Sequence, residues 1–220
     1  MHSSSSCIKQ PQQTRSRETM NLILDAAGQI LEIKNFEELT IAEVVHRAGT
    51  SVGAFYGRFK DKEALLQTLD ERFFNEFDEA VIAILAPKNW LTMSISSIVT
   101  DVTNLIVQTY SKDKGVLRSL NLKSRLTNDS SFKTRELSAW NELFPQFQIA
   151  LLSHQEEITH PNPRLAIRLG FQQMFFCTRE ILLWAPLRED ITYTSEELVS
   201  ELARAYLAYL GVQESSQTSN

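Results

Sequence analysis

Apolar residues recur every three or four positions along most of the chain, which is the spacing that places them on one face of an α-helix. The first stripe predicts a helix over about residues 17–33 and consists of Met20, Ile23, Leu24, Ala27, Ile30 and Leu31. Asn35 follows, and because asparagine tolerates the left-handed conformation in which helices often end, we expect it to terminate this helix. Seven glycines and six prolines are few for the turns of a β-rich protein. The pattern predicts an all-α protein.

The second predicted helix is short and has well-defined ends. Thr40 is a candidate N-cap, and Glu43 three residues later completes a capping box. Leu39 is placed to pack against Val44 as a hydrophobic staple, and Gly49 is a suitable C-terminal stop. These signals predict a helix of about two turns.

A third helix follows after a very short connection. Ser51 is its candidate N-cap, and the helix runs as far as Tyr56. Two short helices joined by a turn of about three residues that contains glycine are typical of a helix-turn-helix. Asp61 then caps a fourth helix, whose apolar stripe is long enough to reach a second domain and comprises Leu66, Leu69, Phe73, Phe77, Val81 and Ile84.

The rest of the chain is also predicted to be helical. We expect a helix over about residues 90–110, a short one over the sequence GVLRSLNL, and a break near Asp129. The next helix carries the apolar stripe from Leu137 to Leu151, and Pro145 is predicted to kink it. Two further helices are predicted over about residues 163–185, opened by Pro163, and 195–211, ending at Gly211.

The last of these helices has its own capping box, formed by Thr194 and Glu197. The helices over about 163–185 and 195–211 carry more apolar positions than one narrow stripe requires. We therefore expect them to pack against their counterparts in a homodimer, as a four-helix bundle.

These elements predict a small helix-turn-helix domain followed by a larger helical domain. We assign residues 1–16 to a flexible arm, 17–66 to the helix-turn-helix domain, 67–211 to the larger helical domain that would form the dimer, and 212–220 to a disordered tail.

The distribution of charge along the chain agrees with this division into two domains. The net charge is −5, but residues 1–62 contain eight Lys and Arg against seven Asp and Glu, whereas the remainder contains fourteen against twenty. A nearly neutral head on an acidic body is compatible with DNA binding. Cys7 and Cys177 lie far apart, and the amino end lacks the apolar core of a signal peptide. We expect a cytoplasmic protein with no membrane association.

The helix-turn-helix predicts the residues that would contact DNA. Its second helix enters the major groove with its amino-terminal residues facing base edges, and small residues permit that approach. Gly53 disfavours a helix by roughly 1 kcal/mol relative to alanine, which suggests that the backbone here comes close to a partner. The alternative is that Thr40 and Ser51 act only as caps and that the cations form a solvated surface. We expect Phe55 and Phe59 to be core residues.

The sequence resembles the DNA-binding domain of the TetR family of bacterial transcriptional regulators over about residues 17–66. The resemblance rests on TIAEVV at the second helix, AGTSVGAFY across the turn and third helix, and FKDKEAL at the start of the fourth. It implies a homodimeric repressor that binds a palindromic operator and is released by a small molecule. It also implies phosphate contacts from Thr40, Ser51, Tyr56 and Lys60, and base contacts from Val52, Gly53 and Ala54. We add Thr50 and Arg58 to this predicted DNA-binding set.

A ligand pocket is predicted in the larger domain, where aromatic side chains are in excess. The candidate lining residues are Trp90, Trp140, Phe144, Met174 and Cys177. A core or dimer surface is the alternative for the stripe that contains Met174 and Cys177. Arg179 and Glu180 lie within an apolar helix and need partners, either across a dimer or in a polar ligand.

No catalytic or metal-binding constellation is apparent. The four histidines, His2, His46, His154 and His160, have no partners at metal-ligand or triad spacing. We expect a protein that is not an enzyme and has no cofactor or metal. The alternatives are a helical small-molecule-binding or catalytic protein with a degenerate DNA-binding head, and a regulator that binds DNA without ligand control.

Overall fold

The computed structural model describes residues 12–85, 90–127, 131–184 and 192–213, and these residues form helices and connections without a β-strand. The all-α prediction is confirmed. The helices are α1 Gln12–Leu31, α2 Ile41–Arg47, α3 Val52–Tyr56, α4 Lys62–Leu85, α5 Ile95–Lys112, α6 Lys114–Leu126, α7 Ser131–Leu152, α8 Pro163–Leu183 and α9 Ser195–Leu210. Short 3-10 turns lie at Phe36–Glu38, Trp90–Thr92 and Gln155–Glu157.

The chain divides into two compact units, and the boundary between Glu71 and Arg72 falls within α4. Helix α4 therefore continues from the first unit into the second, as its long apolar stripe predicts. Asp61 caps it as expected, because its Oδ1 accepts a 2.8 Å hydrogen bond from the N–H of Ala64.

The first unit is built around α1, which packs on α2, while α2 packs on α3. The predicted apolar stripe of α1 is buried from Ile23 to Leu31, whereas its first residue, Met20, is half-buried. Phe55 and Phe59 are core residues as expected. Leu39 and Val44, the predicted staple pair, are both buried. Helix α1 begins at Gln12 rather than near residue 17, so part of the predicted flexible arm is helical, and residues 1–11 lie outside the described residues.

The prediction that Asn35 ends α1 in the left-handed conformation is wrong. Its backbone is extended, with φ −78° and ψ 157°, and it precedes the 3-10 turn Phe36–Glu38. The N–H of Asn35 donates a 3.1 Å hydrogen bond to Oε2 of Glu38. Asn35 thus begins a new turn instead of closing α1 in the left-handed conformation.

The 3-10 turn is also held by Lys62 at the start of α4. Its ammonium group donates to the carbonyl oxygens of Phe36 and Glu37 at 3.3 and 3.2 Å. The same group lies 4.9 Å from the centre of the Phe36 ring. These contacts tie the segment before α2 to α4.

The second unit is centred on α5, which packs against α7, α8 and α9. Its buried residues include Ile98, Val99, Val102, Ile106 and Val107. The predicted helix over about 90–110 is wrong at its start, because Trp90–Thr92 forms a separate 3-10 turn. Ser94 caps α5 by accepting a 3.2 Å bond from the N–H of Ser97, which places the true start after Trp90.

The remaining helix predictions are largely confirmed. Helix α8 begins with Pro163 at its first turn, and Asn162 caps it. Helix α9 has the Thr194 and Glu197 capping box and ends at Gly211, whose φ is 73°. Helix α7 continues through Pro145, and the break predicted at Asp129 lies outside the described residues. None of the helices seen in the described ranges has the length and apolar character needed to cross a membrane.

Candidate functional site

The turn between α2 and α3 is set by Gly49. Its φ is 63°, a conformation that favours glycine, and the N–H of Thr50 donates a 2.9 Å bond back to the carbonyl of Val45. This hydrogen bond satisfies a backbone carbonyl at the end of α2. Only Thr50 and Ser51 separate the glycine from the first residue of α3. This arrangement places Ser51 where α3 begins.

Helix α3 has one buried side and one exposed side. Phe55 is fully buried and contacts the Phe59 ring at a centroid distance of 5.3 Å. Two other side chains of α3 are open to solvent, Val52 at 48% and Tyr56 at 56% exposure. Exposed apolar side chains next to small residues form a surface suited to close contact with a partner.

The fold itself does not require glycine at position 53. A β-carbon added to Gly53 would have only the Ser51 hydroxyl oxygen nearby, at 3.9 Å. Ser51 caps α3, because its Oγ accepts a 3.1 Å bond from the N–H of Ala54. The absence of a side chain at Gly53 is therefore explained better by an external partner than by packing within this unit.

Thr40 lies in a network that its capping role creates. Its hydroxyl donates a 2.8 Å bond to Glu43 and accepts a 3.3 Å bond from the Glu43 N–H, and its own N–H donates to the same carboxylate. Lys34 forms an ion pair with Glu43. The Lys34 ammonium, followed by the Thr40 hydroxyl, lowers the pKa of Glu43 below its ordinary value.

This network changes the interpretation of Thr40. Its backbone N–H and its hydroxyl both donate to Glu43, so Thr40 would have to give up one of these hydrogen bonds in order to donate to a phosphate. Glu43 places negative charge beside that hydroxyl, and Lys34 offsets it. Thr50, by comparison, is only half-buried in the turn.

The two predicted cations after α3 have different surroundings. The Arg58 guanidinium donates to the carbonyl of Ala54 at 2.7 Å and to the carbonyl of Ser16 at 3.2 Å. It thus links the end of α3 to α1. Lys60 is exposed, so its ammonium is available to solvent or to a phosphate.

The structure exposes most of the predicted DNA-binding residues and half-buries the others. The exposed ones are Thr40, Ser51, Val52, Gly53, Tyr56 and Lys60, and the half-buried ones are Thr50, Ala54 and Arg58.

The predicted ligand residues are distributed through the second unit. Trp140 lines a small cavity, but Trp90 is buried against Phe147, and Met174 is buried with its sulfur 2.9 Å from the Thr103 hydroxyl. Phe144 stacks on Phe171 at 5.1 Å, and Cys177 is exposed with a free thiol. Of these five predicted residues, Trp140 is the one that lines that cavity.

The cavity that Trp140 lines is mainly aromatic. Its other lining residues are Phe73, Phe74 and Phe77 of α4, Tyr110 of α5, and Phe132 and Glu136 of α7. The Tyr110 hydroxyl donates a 2.8 Å hydrogen bond to Oε1 of Glu136. Burial, and then the charge of Glu136, raise the pKa of the Tyr110 phenol well above its ordinary value. Tyr110 is therefore a hydrogen-bond donor here, and Glu136 is the acceptor.

Sequence reasoning missed Tyr110 and Glu136 as a pair. They are 26 residues apart and lie on different helices. The available signal was a glutamate close to Trp140 in the sequence, and this signal does not identify its partner.

The short α2, the left-handed glycine turn and the exposed face of α3 define a helix-turn-helix DNA-binding fold. Residues 23–69 match the sequence model for bacterial regulatory proteins of the tetR family. Many solved structures share the complete fold. The sequence match identifies a TetR-type DNA-binding domain in the amino-terminal part of the chain, as the sequence resemblance implied, and the chain has the same fold as TetR-family regulators of solved structure.

Three similar structures illustrate the match. A tetR-family regulatory protein from Rhodococcus RHA1 is 14% identical, with a TM-score of 0.68 over 89% of this chain and 98% of the other. A TetR-family regulator from Bordetella parapertussis 12822 is 17% identical, with a TM-score of 0.62 over 89% of this chain and 98% of the other. The fatty acid degradation regulator FadR from Bacillus halodurans is 14% identical, with a TM-score of 0.59 over 92% of this chain and 97% of the other. No curated protein is significantly similar in sequence.

Proposed function

We propose that the protein is a homodimeric transcriptional repressor that binds a palindromic operator and is released from it by a small-molecule effector. The observation that carries the DNA-binding part is the exposed face of α3, where Val52 and Tyr56 flank a glycine that packing within the unit does not require. In a helix-turn-helix this face meets base edges in the major groove.

The roles of the predicted residues follow from their surroundings. Val52, Gly53 and Ala54 would face bases, whereas Tyr56, Lys60 and the hydroxyls of Thr40 and Ser51 would contact phosphates. Such phosphate contacts position the protein on DNA without reading its sequence.

The proposed dimer uses the outer face of α8. Leu165, Leu169 and Phe176 lie on it at helical spacing and are 41%, 37% and 49% exposed. Because this apolar stripe lacks a covering element among the described residues, pairing with a second copy of α8 and α9 would bury it. Sedimentation as a species near 25.1 kDa at micromolar concentration would contradict the dimer.

The effector part is supported by the cavity lined by Trp140, which lies in the unit after residue 71. Helix α4 carries Phe73 of this cavity and also begins with Lys62 in the DNA-binding unit. A ligand that moves Phe73 would therefore act on a helix that is continuous with the DNA-binding unit.

DNA binding is tested by gel shifts with duplexes that flank the protein's own gene. A true DNA-binding protein should lose affinity steeply between about 50 and 200 mM salt, because phosphate contacts are screened and fewer counterions are released. A helical small-molecule-binding protein with a degenerate head would show no such complex. A complex that no metabolite extract dissociates would indicate a regulator without ligand control.

A further inference from the structure

The cavity between α4, α5 and α7 combines six aromatic rings with one carboxylate. The rings are those of Phe73, Phe74, Phe77, Tyr110, Phe132 and Trp140, and the carboxylate is that of Glu136. The faces of aromatic rings carry negative electrostatic potential and attract cations, and aromatic cages of this kind recognise quaternary ammonium groups. A carboxylate in the same wall adds a full negative charge.

We propose that this cavity binds a small organic cation, such as a quaternary ammonium group that bears an apolar substituent. The inference rests on the proposed function in that it names the chemical class of the effector. It also stands as a binding property that can be measured without DNA.

The charge distribution around the cavity favours a cation over an anion. Glu136 is the one ionisable carboxylate that lines it, and its known partner there is the neutral Tyr110 hydroxyl. The Arg179 guanidinium lies over the rings of Phe175 and Phe176, at 5.6 and 5.0 Å, and is not a lining residue. The charge of Arg179 also acts on Tyr110, but a bound cation would approach the Glu136 carboxylate from the cavity side, which Arg179 does not line.

The cavity is narrow in this structure. Its volume of about 10 Å³ is close to what a single water molecule occupies. On the other side of Phe73 and Phe77 lies an open groove of about 220 Å³, which the same two residues also line. Their rings are stacked with centroids 6.4 Å apart, and they form the partition between cavity and groove.

The groove supplies both an entry path and additional room. A rotation of the Phe73 and Phe77 side chains would join the two spaces. The groove is also lined by Glu76, Lys112 and Asp113, and Lys112 is paired with Glu76.

The test uses three ligands of similar size that differ in charge: phenyltrimethylammonium, its neutral isostere tert-butylbenzene, and benzoate. Binding to the full-length protein without DNA is measured by calorimetry and by tryptophan fluorescence, which reports on Trp140. We expect the cation to bind more tightly than either other ligand. Equal affinity for the neutral isostere, or no binding of the cation, would overturn the proposal.

Glu136→Gln removes the charge while it keeps an acceptor for the Tyr110 hydroxyl. We expect it to weaken binding of the cation about tenfold and to leave binding of the neutral ligand unchanged. Glu142→Gln is the matched control, because Glu142 is exposed on the same helix. If both variants bind the cation equally well, the carboxylate does not select the ligand and the proposal fails.

Tyr110→Phe is a second, independent variant. It removes the hydrogen bond to Glu136 without changing the ring, so the carboxylate becomes fully available to the cation. We expect the affinity for the cation to rise, whereas a purely structural Tyr110 and Glu136 pair predicts unchanged affinity and a lower melting temperature alone. Unchanged affinity would therefore count against the proposal.

The binding and DNA experiments separate the two proposals. Selective cation binding that Glu136→Gln weakens would support this site even if the cation fails to release DNA, in which case the effector role would be wrong. DNA binding with no cation selectivity would leave the regulator intact and reject the ligand class.

Discussion

A β-carbon placed on Gly170 of α8 would lie 2.1 Å from Cε2 of Tyr206 on α9. The Tyr206 ring cannot move aside easily, because it is buried and its hydroxyl donates to the carbonyl of Ile167. Burial raises the pKa of this phenol, so it remains a donor. The close approach of α8 and α9 thus depends on the missing side chain at Gly170.

Gly170→Ala should therefore destabilise the protein. Overpacking of this kind typically costs about 1–3 kcal/mol, which outweighs the gain of about 0.5–1 kcal/mol that alanine brings to a helix interior. Urea unfolding of the variant measures the change in the free energy of unfolding.

The Tyr206→Ala background tests the cause. With the ring removed, Gly170→Ala should no longer destabilise, and the difference between the two backgrounds gives the coupling energy. Equal destabilisation in both backgrounds would show that the contact with Tyr206 is not responsible.

Gly53→Ala is expected to behave in the opposite way. Its new β-carbon meets only the Ser51 oxygen, at 3.9 Å, so the fold should be at least as stable as before. Operator affinity should fall, because the added methyl group would face the DNA. Melting curves and binding titrations on this one variant decide the matter, and unchanged affinity would mean that Gly53 does not approach DNA closely.

Tyr56→Phe and Lys60→Ala should weaken binding to operator and to random DNA by similar factors. Both residues are exposed, and phosphate contacts carry no sequence information. Lys60→Ala should also lower the magnitude of the salt slope by about one unit. A loss confined to the operator would instead assign these side chains to base recognition.

Arg58→Ala should differ from Lys60→Ala. The Arg58 guanidinium holds the carbonyls of Ala54 and Ser16, so its removal leaves acceptors on α3 and α1 without their donor. Hydrogen bonds to charged groups are worth about 1.5–3 kcal/mol, and partial exposure places the expected loss at or below the lower end. Chemical denaturation should show destabilisation for Arg58→Ala and almost none for Lys60→Ala.

Acid should destabilise the protein in part through Glu43. The pKa of this carboxyl is lowered in the folded state by Lys34 and Thr40, from an ordinary value of 4.5. Its contribution is therefore complete above about pH 4.5 and is lost as the pH falls through the lowered folded-state pKa. Glu43→Gln should flatten the fall in unfolding free energy below about pH 4.5. An unchanged slope would show that the network with Lys34 and Thr40 does not stabilise the folded state.

The sequence by itself determined the features that depend on contacts a few residues apart. The capping boxes of Thr40 and Thr194, the Asp61 cap and the glycine stop at Gly211 were all predicted, because each signal and its partner lie within one helical turn. The helix-turn-helix followed from these same signals. The errors at Asn35 and Trp90 are local too, since Asn35, through its bond to Glu38, and Ser94 each begin a new element that the apolar pattern does not reveal.

Only the tertiary structure decided which distant side chains meet. Tyr110 and Glu136 are joined across two helices, Arg58 is joined to Ser16 of α1, and Gly170 lies against Tyr206. An apolar stripe specifies that a helix face is buried but not which face it packs against or in which register. That choice depends on how several helices fill space together. Trp140 lines a cavity and Phe147 fills the core, but both follow the same apolar pattern in the sequence.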